Sequence, residues 1–258
     1  MNLVIIISLS IMKQRHYIQA SLLSLLLIQY HFAKSERSDI VQLAQFSSTS
    51  ITDITPVSWQ PLNFQNIENK TAYFLTRLNN QTVVQAVSHA SASALYKKTN
   101  ISPHTYPRLS WHWQIDRIIK KADITTKNGD DYPARIYVSF AYDIERLQLS
   151  DRIKFKLYSL IHDEPPPLAV INYVWDNKSP AGTIVDNAYS DRVKMIVVRS
   201  GASKTGKWIF EKRNILSDYR RAFGEDPGNI TGIAIMTDTD NTGESATAWY
   251  GDITLSKN

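Results

Sequence analysis

The sequence of 258 residues contains no cysteine. This absence excludes disulfide bonds, zinc sites built from thiolates and a cysteine nucleophile. It also excludes a lipid-modified N-terminal cysteine, which anchors many exported bacterial proteins. The fold must therefore be stabilised by a hydrophobic core alone, and hydrophobic residues make up 43% of the chain.

A strong excess of one charge is missing as well. The formal net charge is +5, but Lys13, Arg15 and Lys34 lie within the first 35 residues, which contain no acidic residue. Without these three, 26 of the 29 basic residues remain against 24 acidic ones. So small an imbalance does not favour nucleic acid as a partner.

The N-terminus has the composition of a secretory signal peptide. A basic cluster, Met12–His16, precedes a mainly apolar run, Ile18–Ile28, and small residues at Ala33 and Ser35 favour cleavage after residue 35. We predict a signal peptide over 1–35 with Met12 as the true start, a linker over 36–56, and export to the periplasm or the medium. The alternative is a membrane anchor, but a spanning helix needs about 20 apolar residues, so we expect no stable membrane span after cleavage.

From residue 57 onward the hydrophobic pattern has a period of two, which is typical of strands. Leu109, Trp111, Trp113 and Ile115 alternate with polar residues. Similar runs lie at 73–78, 82–87, 136–142, 153–161, 169–175, 192–199, 207–213, 233–238 and 248–255. We predict an all-β fold in a single domain over 57–258, an antiparallel β-sandwich of the jelly-roll type with about ten strands.

Two short segments interrupt the strand pattern and predict helices. The first is Ala92–Lys98. The second is Ser217–Phe223, where Ser217 is a candidate N-cap and Gly224 a candidate stop.

The stretch from Ile233 to Leu255 reads as a strand, an acidic turn and a second strand. Asp238, Asp240 and Asn241 in this turn resemble the first half of a calcium-binding loop, in which oxygen ligands alternate. The second half does not fit, because an EF-hand would need a glutamate where this chain has Trp249. Two readings stay open: a calcium site formed by these three residues, or a hairpin turn whose side chains cap their own backbone. No other cofactor is indicated.

Successive side chains of a strand point to opposite faces of a sheet, so residue positions along the strands predict one polar sheet face. Arg135 and Tyr137 point away from the core residues of their strand, and Asp238, Tyr250 and Asp252 take the same face if the last two strands form a regular hairpin. With Asp130 and Asp131 just before Arg135, this face is a candidate ligand surface. The alternative is structural: Arg135 pairs with Asp131 or Asp252. This assignment depends on the assumed register, and a one-residue bulge would change it.

Tryptophans offer flat faces on which sugar rings can stack. Trp111, Trp113 and Trp249 are in phase with aliphatic residues and are assigned to the core. Trp175 and Trp208 lie at strand ends and are the candidate ligand-binding aromatics. The histidines lack metal-ligand spacing, and no nucleophile elbow is present.

Several phrases, in order, resemble a bacterial exported family of unknown function, domain of unknown function number three-zero-four-seven. They are Ser91–Leu95, Pro107–Trp113, Asp130–Val138, Tyr173–Trp175, Arg213–Asn214, Asp218–Tyr219, Phe223–Glu225, Met236–Thr242 and Tyr250–Asp252. The resemblance implies an exported β-sandwich and carries no activity.

Taken together, these features favour non-catalytic binding of a glycan, another polar ligand or a cell-envelope component. One alternative is a polysaccharide hydrolase or lyase that uses the turn carboxylates Asp130, Asp131, Asp238 or Asp240. A second is a structural envelope protein without a small ligand.

Overall fold

The structure is a computed structural model that describes residues 38–51, 58–146, 149, 152 and 169–257. The chain separates into two compact units, Met1–Asp39 and Ile40–Asn258, and the fold described here is that of the second. The predicted signal peptide and the strand predicted over 153–161 lie outside the described residues. No helix within the described ranges is long and apolar enough to cross a membrane.

The described part of the second unit contains thirteen strands, one α-helix and three short 3₁₀ turns. The strands are β1 (Ile40–Ala44), β2 (Gln60–Leu62), β3 (Ala72–Leu78), β4 (Gln81–His89), β5 (Ala92–Ile101), β6 (Arg108–Ile115), β7 (Arg135–Phe140), β8 (Val170–Asp176), β9 (Ile184–Asn187), β10 (Ser190–Ser200), β11 (Ile209–Asn214), β12 (Ile230–Asp238) and β13 (Ser245–Ser256). The helix is α1 (Ile215–Phe223), and the 3₁₀ turns are Phe46–Ser48, Lys127–Gly129 and Ile144–Arg146.

The strands form two sheets, which confirms the predicted β-sandwich. The six-stranded sheet has the order β11-β6-β13-β4-β3, with β1 also paired to β13. The seven-stranded sheet has the order β2-β5-β12-β7-β8-β10-β9. One pairing departs from the predicted antiparallel arrangement, because β8 and β10 are parallel.

In most strands the alternating pattern of the sequence correctly predicts which side chains are buried in the core. Trp111 and Trp113 of β6, Ile136 and Val138 of β7 and Trp175 of β8 are at most 1% exposed and belong to one hydrophobic core cluster. Burying an aromatic or aliphatic side chain of this size contributes about 1.5–3 kcal/mol. A chain without disulfides is held together by this layer.

The prediction of a helix over Ala92–Lys98 is wrong, because this segment is the first part of β5. It lies between β2 and β12, and pairing on both sides overrides the helix propensity of its alanines. The second helix is confirmed as α1, but it begins at Ile215, so the assignment of Ser217 as its N-cap is wrong. Its N-cap is Asn214, whose Oδ1 accepts from the Ser217 N–H at 3.0 Å, and it ends at Gly224 with φ of +74°.

The linker predicted over 36–56 contains a strand of the sandwich, so that assignment is wrong for β1. Four of its five residues pair with the second half of β13, and the register shifts between Gln42 and Ala44. Leu43 is therefore an extra, bulged residue. Its carbonyl accepts from Lys97 Nζ of β5 at 2.7 Å, which ties the two sheets together at this edge.

The last two strands do not form a hairpin with each other. β12 lies inside the seven-stranded sheet and β13 inside the six-stranded sheet, so the turn at 239–244 crosses from one layer to the other. Ile233 and Ile235 of β12 and Ile253 and Leu255 of β13 do meet, but from opposite sides of the core.

Candidate functional site

Register brings the predicted polar residues around Arg135 together at one end of the seven-stranded sheet. Arg135, the first residue of β7, pairs with Met236 of β12, two residues before Asp238. We call Asp130, Asp131, Arg135, Asp238 and Asp240 the Arg135 cluster. Arg135 points away from the core, as predicted, yet it is only 2% exposed and Asp238 is also 2% exposed. This face is therefore covered rather than open at Arg135.

The guanidinium of Arg135 is almost fully engaged. Its Nε donates to Asp238 Oδ1 at 2.7 Å and its Nη2 donates to Asp238 Oδ2, a bidentate ion pair. Nη2 also donates to the Asp130 carbonyl, and Nη1 donates to the Tyr137 hydroxyl at 3.0 Å. The ring of Tyr132 lies 4.5 Å from the guanidinium carbon. The structural alternative is thus favoured for Arg135, although its main partner is Asp238 and not Asp131 or Asp252.

The other carboxylates of the cluster hold loops in place. Both oxygens of Asp131 accept backbone N–H groups of the 239–244 turn, from Asn241 at 3.3 Å and Thr242 at 2.7 Å. Asp130 Oδ2 accepts from Asn187 Nδ2 at 3.0 Å. Burial and the nearby charge of Asp131 raise the pKa of Asp240 above its ordinary value.

Three of these carboxylates can share a metal ion. One oxygen each of Asp131, Asp238 and Asp240 lie within 4.8 Å of one another, and oxygen donors of this kind suit a hard cation such as Ca²⁺. Asp131 joins the predicted residues Asp238 and Asp240 in this group. Asn241, the third predicted ligand, directs its backbone N–H to Asp131 and its Nδ2 to the Tyr189 hydroxyl. Asp238 already binds Arg135 with both oxygens, so an ion here would compete with the guanidinium.

Tyr250 and Asp252 do not lie on the predicted polar face. Tyr250 is 0% exposed, and its hydroxyl donates to the Met236 carbonyl at 2.6 Å. Asp252 accepts from the backbone N–H and the hydroxyl of Ser47, at 2.9 Å and 2.5 Å. The predicted ligand set is therefore split. Asp130, Asp131, Arg135 and Tyr137 lie together on the outer face. Tyr250 lies on the core side of the sheet, where its hydroxyl accepts from the Arg135 backbone N–H at 3.4 Å, and Asp252 lies elsewhere.

A bulge in β13 explains this error. Tyr250 pairs with Trp113 and Ile253 pairs with Trp111, so Gly251 and Asp252 together lie opposite His112. The extra residue reverses the parity of the strand. As a result Tyr250 points into the core. Trp249 points outward and is half-buried, so its assignment to the core is wrong.

The two candidate tryptophans also separate. Trp175 is 0% exposed and packs 5.9 Å from Trp113, so its assignment to a ligand site is wrong. Trp208 is half-buried on the outer face of the six-stranded sheet. Its ring is parallel to that of His112, with the centroids 5.7 Å apart and the planes at 9°. The ring also lies over Gly251, where a Cβ atom would be 2.7 Å from Trp208 Cζ2.

Aromatic side chains cross the outer face of the six-stranded sheet from one edge to the other. Phe74 on β3 pairs with Gln85 on β4, Gln85 pairs with Trp249 on β13, and Trp249 pairs with Gln114 on β6. We call the side chains Phe74, Trp249, Trp208, His112 and Phe210 the aromatic strip.

At the other edge of the sheet, Phe210 on β11 pairs with His112, and their rings are 4.9 Å apart. Phe74 and Phe210 at the two ends of the strip are 43% and 53% exposed. Partial burial lowers the pKa of His112, although Asp252 acts in the opposite direction, which favours a neutral imidazole beneath Trp208. Sequence reasoning missed the strip, and the one available signal was the Gly251-Asp252 pair in the middle of an alternating strand.

A separate cavity of about 370 Å³ lies beside β1. Its lining includes Leu43, Phe46, Trp59 and Lys97, together with serine, threonine and glutamine side chains. The ammonium group of Lys97 is already bonded to the bulged carbonyl of Leu43, which gives this lysine a structural role.

Two sheets that face each other across a shared core define the chain as a β-sandwich protein. A family model described as Protein of unknown function (DUF3047) matches residues 57–254. The chain therefore belongs to this family, as its sequence predicted. No curated protein matches the chain.

Three solved structures are similar to this chain over most of its length. The Spr0440 glycoside hydrolase domain, Endo-D, of Streptococcus pneumoniae R6 has 10% identity and a TM-score of 0.31 over 78% of this chain, which spans 21% of that protein. A mutant of CBM29-2, a family 29 carbohydrate binding module, has 6% identity and a TM-score of 0.35, with 85% and 92% of the two chains covered. The carbohydrate recognition domain of Emp47p has 13% identity and a TM-score of 0.42, with 86% and 98% covered. Scores this low say nothing of what this chain binds.

Proposed function

We propose that this protein is an exported, non-catalytic binding protein that holds a carbohydrate chain on the aromatic strip. The observation that carries the proposal is the strip itself, in which half-buried aromatic side chains lie between two exposed ones at the edges of the sheet. Phe74 and Phe210 are roughly half exposed and sit at sheet edges. Contiguous exposed apolar surface of this kind marks an interaction or ligand-binding site.

The chemistry of the strip suits sugars. A pyranose ring presents an apolar face of C–H groups, which packs on a flat aromatic ring, and hydroxyls at its rim, which need hydrogen-bond partners. Gln85 and Gln114 lie between the aromatic positions on the same face, and each amide both donates and accepts. The aromatic residues and glutamines carry no formal charge. Lys212, exposed on the same face two residues beyond Phe210, borders this uncharged surface.

The Arg135 cluster fits this function as a structural element. Its guanidinium and most of its carboxylate oxygens already have partners within the protein, which argues against the hydrolase or lyase alternative at these residues. Where calcium binds, we propose that Asp131, Asp238 and Asp240 hold it and that it stabilises the turn at 239–244.

Glycan-array binding, followed by titration of intrinsic tryptophan fluorescence, tests the proposal. We expect binding in the wild type and its loss in Trp249→Ala and Trp208→Ala. Tyr189→Ala is the matched control, because Tyr189 is an aromatic residue with 57% exposure that lies outside the strip. The proposal fails if no glycan binds, or if Tyr189→Ala abolishes binding and both tryptophan variants retain it.

Export is part of the same proposal and has its own test. The mature protein isolated from its source should begin at residue 36. A mature N-terminus before residue 25 would contradict the cleaved signal peptide.

A further inference from the structure

The length of the aromatic strip limits how many sugars can be in contact with it. The strip crosses the sheet from β3 to β11, which are separated by β4, β13 and β6. Neighbouring strands are about 4.8 Å apart, so four such steps span about 19 Å. One sugar unit of an extended chain is roughly as long as one strand spacing, and the strip therefore accommodates about four units.

The direction of the strip relates to the twist of the sheet. Neighbouring strands rotate by roughly 20–25° about an axis that runs across them. The strip runs along this axis, because its register partners lie on successive strands: Phe74 beside Gln85, Gln85 beside Trp249, and Phe210 beside His112. Over four steps the aromatic faces therefore turn by roughly 80–100°.

A ligand in contact with the whole strip must turn with it. The flat face of an ordered fibre is rigid and reaches one or two of the rings at a time. A single extended chain rotates about its own linkages and can present successive rings to Phe74, Trp249, Trp208 and Phe210 in turn.

From these observations we infer that the strip binds one extended, twisted glycan chain, laid across the strands and about four sugars long, and not the surface of an insoluble fibre. This inference rests on the proposed function and gives it a substrate class: unbranched polysaccharides whose linkage keeps the chain extended. The ends of such a chain contact Phe74 and Phe210, at opposite edges of the sheet.

Calorimetric titration with cello-, chito-, xylo- and manno-oligosaccharides of two to six units tests the inference. For the series that binds, affinity should rise by about threefold for each further ring contacted and level off at four to five units. Phe74→Ala and Phe210→Ala should each move the plateau to shorter chains, and Tyr189→Ala should leave it unchanged. Because both phenylalanines are about half exposed, these variants should fold normally, which circular dichroism will check.

Three results would overturn the inference. Affinity that is independent of length beyond two units, or sedimentation with insoluble cellulose or chitin without binding to any soluble series, would refute it and leave carbohydrate binding itself intact. Absence of binding to both soluble and insoluble glycans would refute the inference together with the proposed function.

Discussion

Replacement of Arg135 by methionine should be among the most damaging single substitutions in this protein. The change keeps much of the side-chain volume and removes the charge that faces Asp238. Arg135 and Asp238 are each 2% exposed, so the orphaned carboxylate cannot be rehydrated without local opening. Removing one partner of a buried ion pair typically costs about 3–5 kcal/mol.

The structure gives reasons to expect the upper part of that range. Asp130, Asp131 and Asp240 lie close to the same guanidinium, and burial together with Asp131 already raises the pKa of Asp240. Without Arg135 these like charges repel with no counter-charge among them. Against a total stability of about 5–15 kcal/mol, the loss should lower Tm by roughly 6–20 °C, at 2–4 °C per kcal/mol for a domain of this size.

Urea denaturation of wild type, Arg135→Met, Asp238→Asn and the double variant measures the coupling. We expect the double variant to be less destabilised than the sum of the single ones, because both charges are gone. Arg220→Met is the control, since its ion pair with Asp226 is solvent-exposed and should be neutral. If Arg135→Met lowers the free energy of unfolding by less than about 1 kcal/mol, the cluster is open and hydrated. Arg135 would then again be a candidate ligand-binding residue.

Three further predictions concern other parts of the molecule. Gly251→Ala should displace the Trp208 ring, because the new Cβ would lie 2.7 Å from Cζ2. Tryptophan emission and glycan affinity should therefore both change. The control, Ser110→Ala on the same face, should change neither. Asp240→Asn in EDTA should raise Tm at pH 7: the folded pKa of Asp240 is raised, so its charge lowers stability once the pH exceeds about 4. The gain, up to about 1 kcal/mol for this partly buried group, should vanish below pH 4, and a loss at pH 7 would contradict this reasoning. Added Ca²⁺ should then raise the Tm of the wild type more than that of Asp240→Asn. Lys97→Met should cost about 1–2 kcal/mol, because the bulged Leu43 carbonyl loses its donor, and an unchanged urea midpoint would refute that role.

Alternation along single strands was enough to predict the layer of the sandwich to which most residues belong. Trp111, Trp113 and Ile136 are buried as their parity requires, and Gly224 ends α1 because it adopts a left-handed conformation. These properties depend on residues within one element. They can be predicted because side-chain direction in a strand follows from position alone.

Properties that depend on a second strand could not be predicted in the same way. The bulge opposite His112 reverses the orientation of Trp249 and Tyr250, and the sequence carries no strong signal for it. The pairing of Arg135 with Asp238 follows from the register between β7 and β12, which the order of residues in either strand does not determine. The assignment of β12 and β13 to different sheets is likewise set by packing across the whole domain.

The needs of stability explain the side chains on one outer face of the sandwich and do not explain those on the other. At Arg135 nearly every polar group has a partner inside the protein, so substitution there disturbs folding before it can disturb binding. At Phe74 and Phe210 about half of each ring faces solvent, so truncation removes little buried area and costs little stability. Folding alone does not explain why these exposed positions are aromatic. A role in binding does, and it requires the two classes of variant to separate: Arg135→Met should lose stability and keep its glycan affinity while folded, and Phe74→Ala should do the reverse.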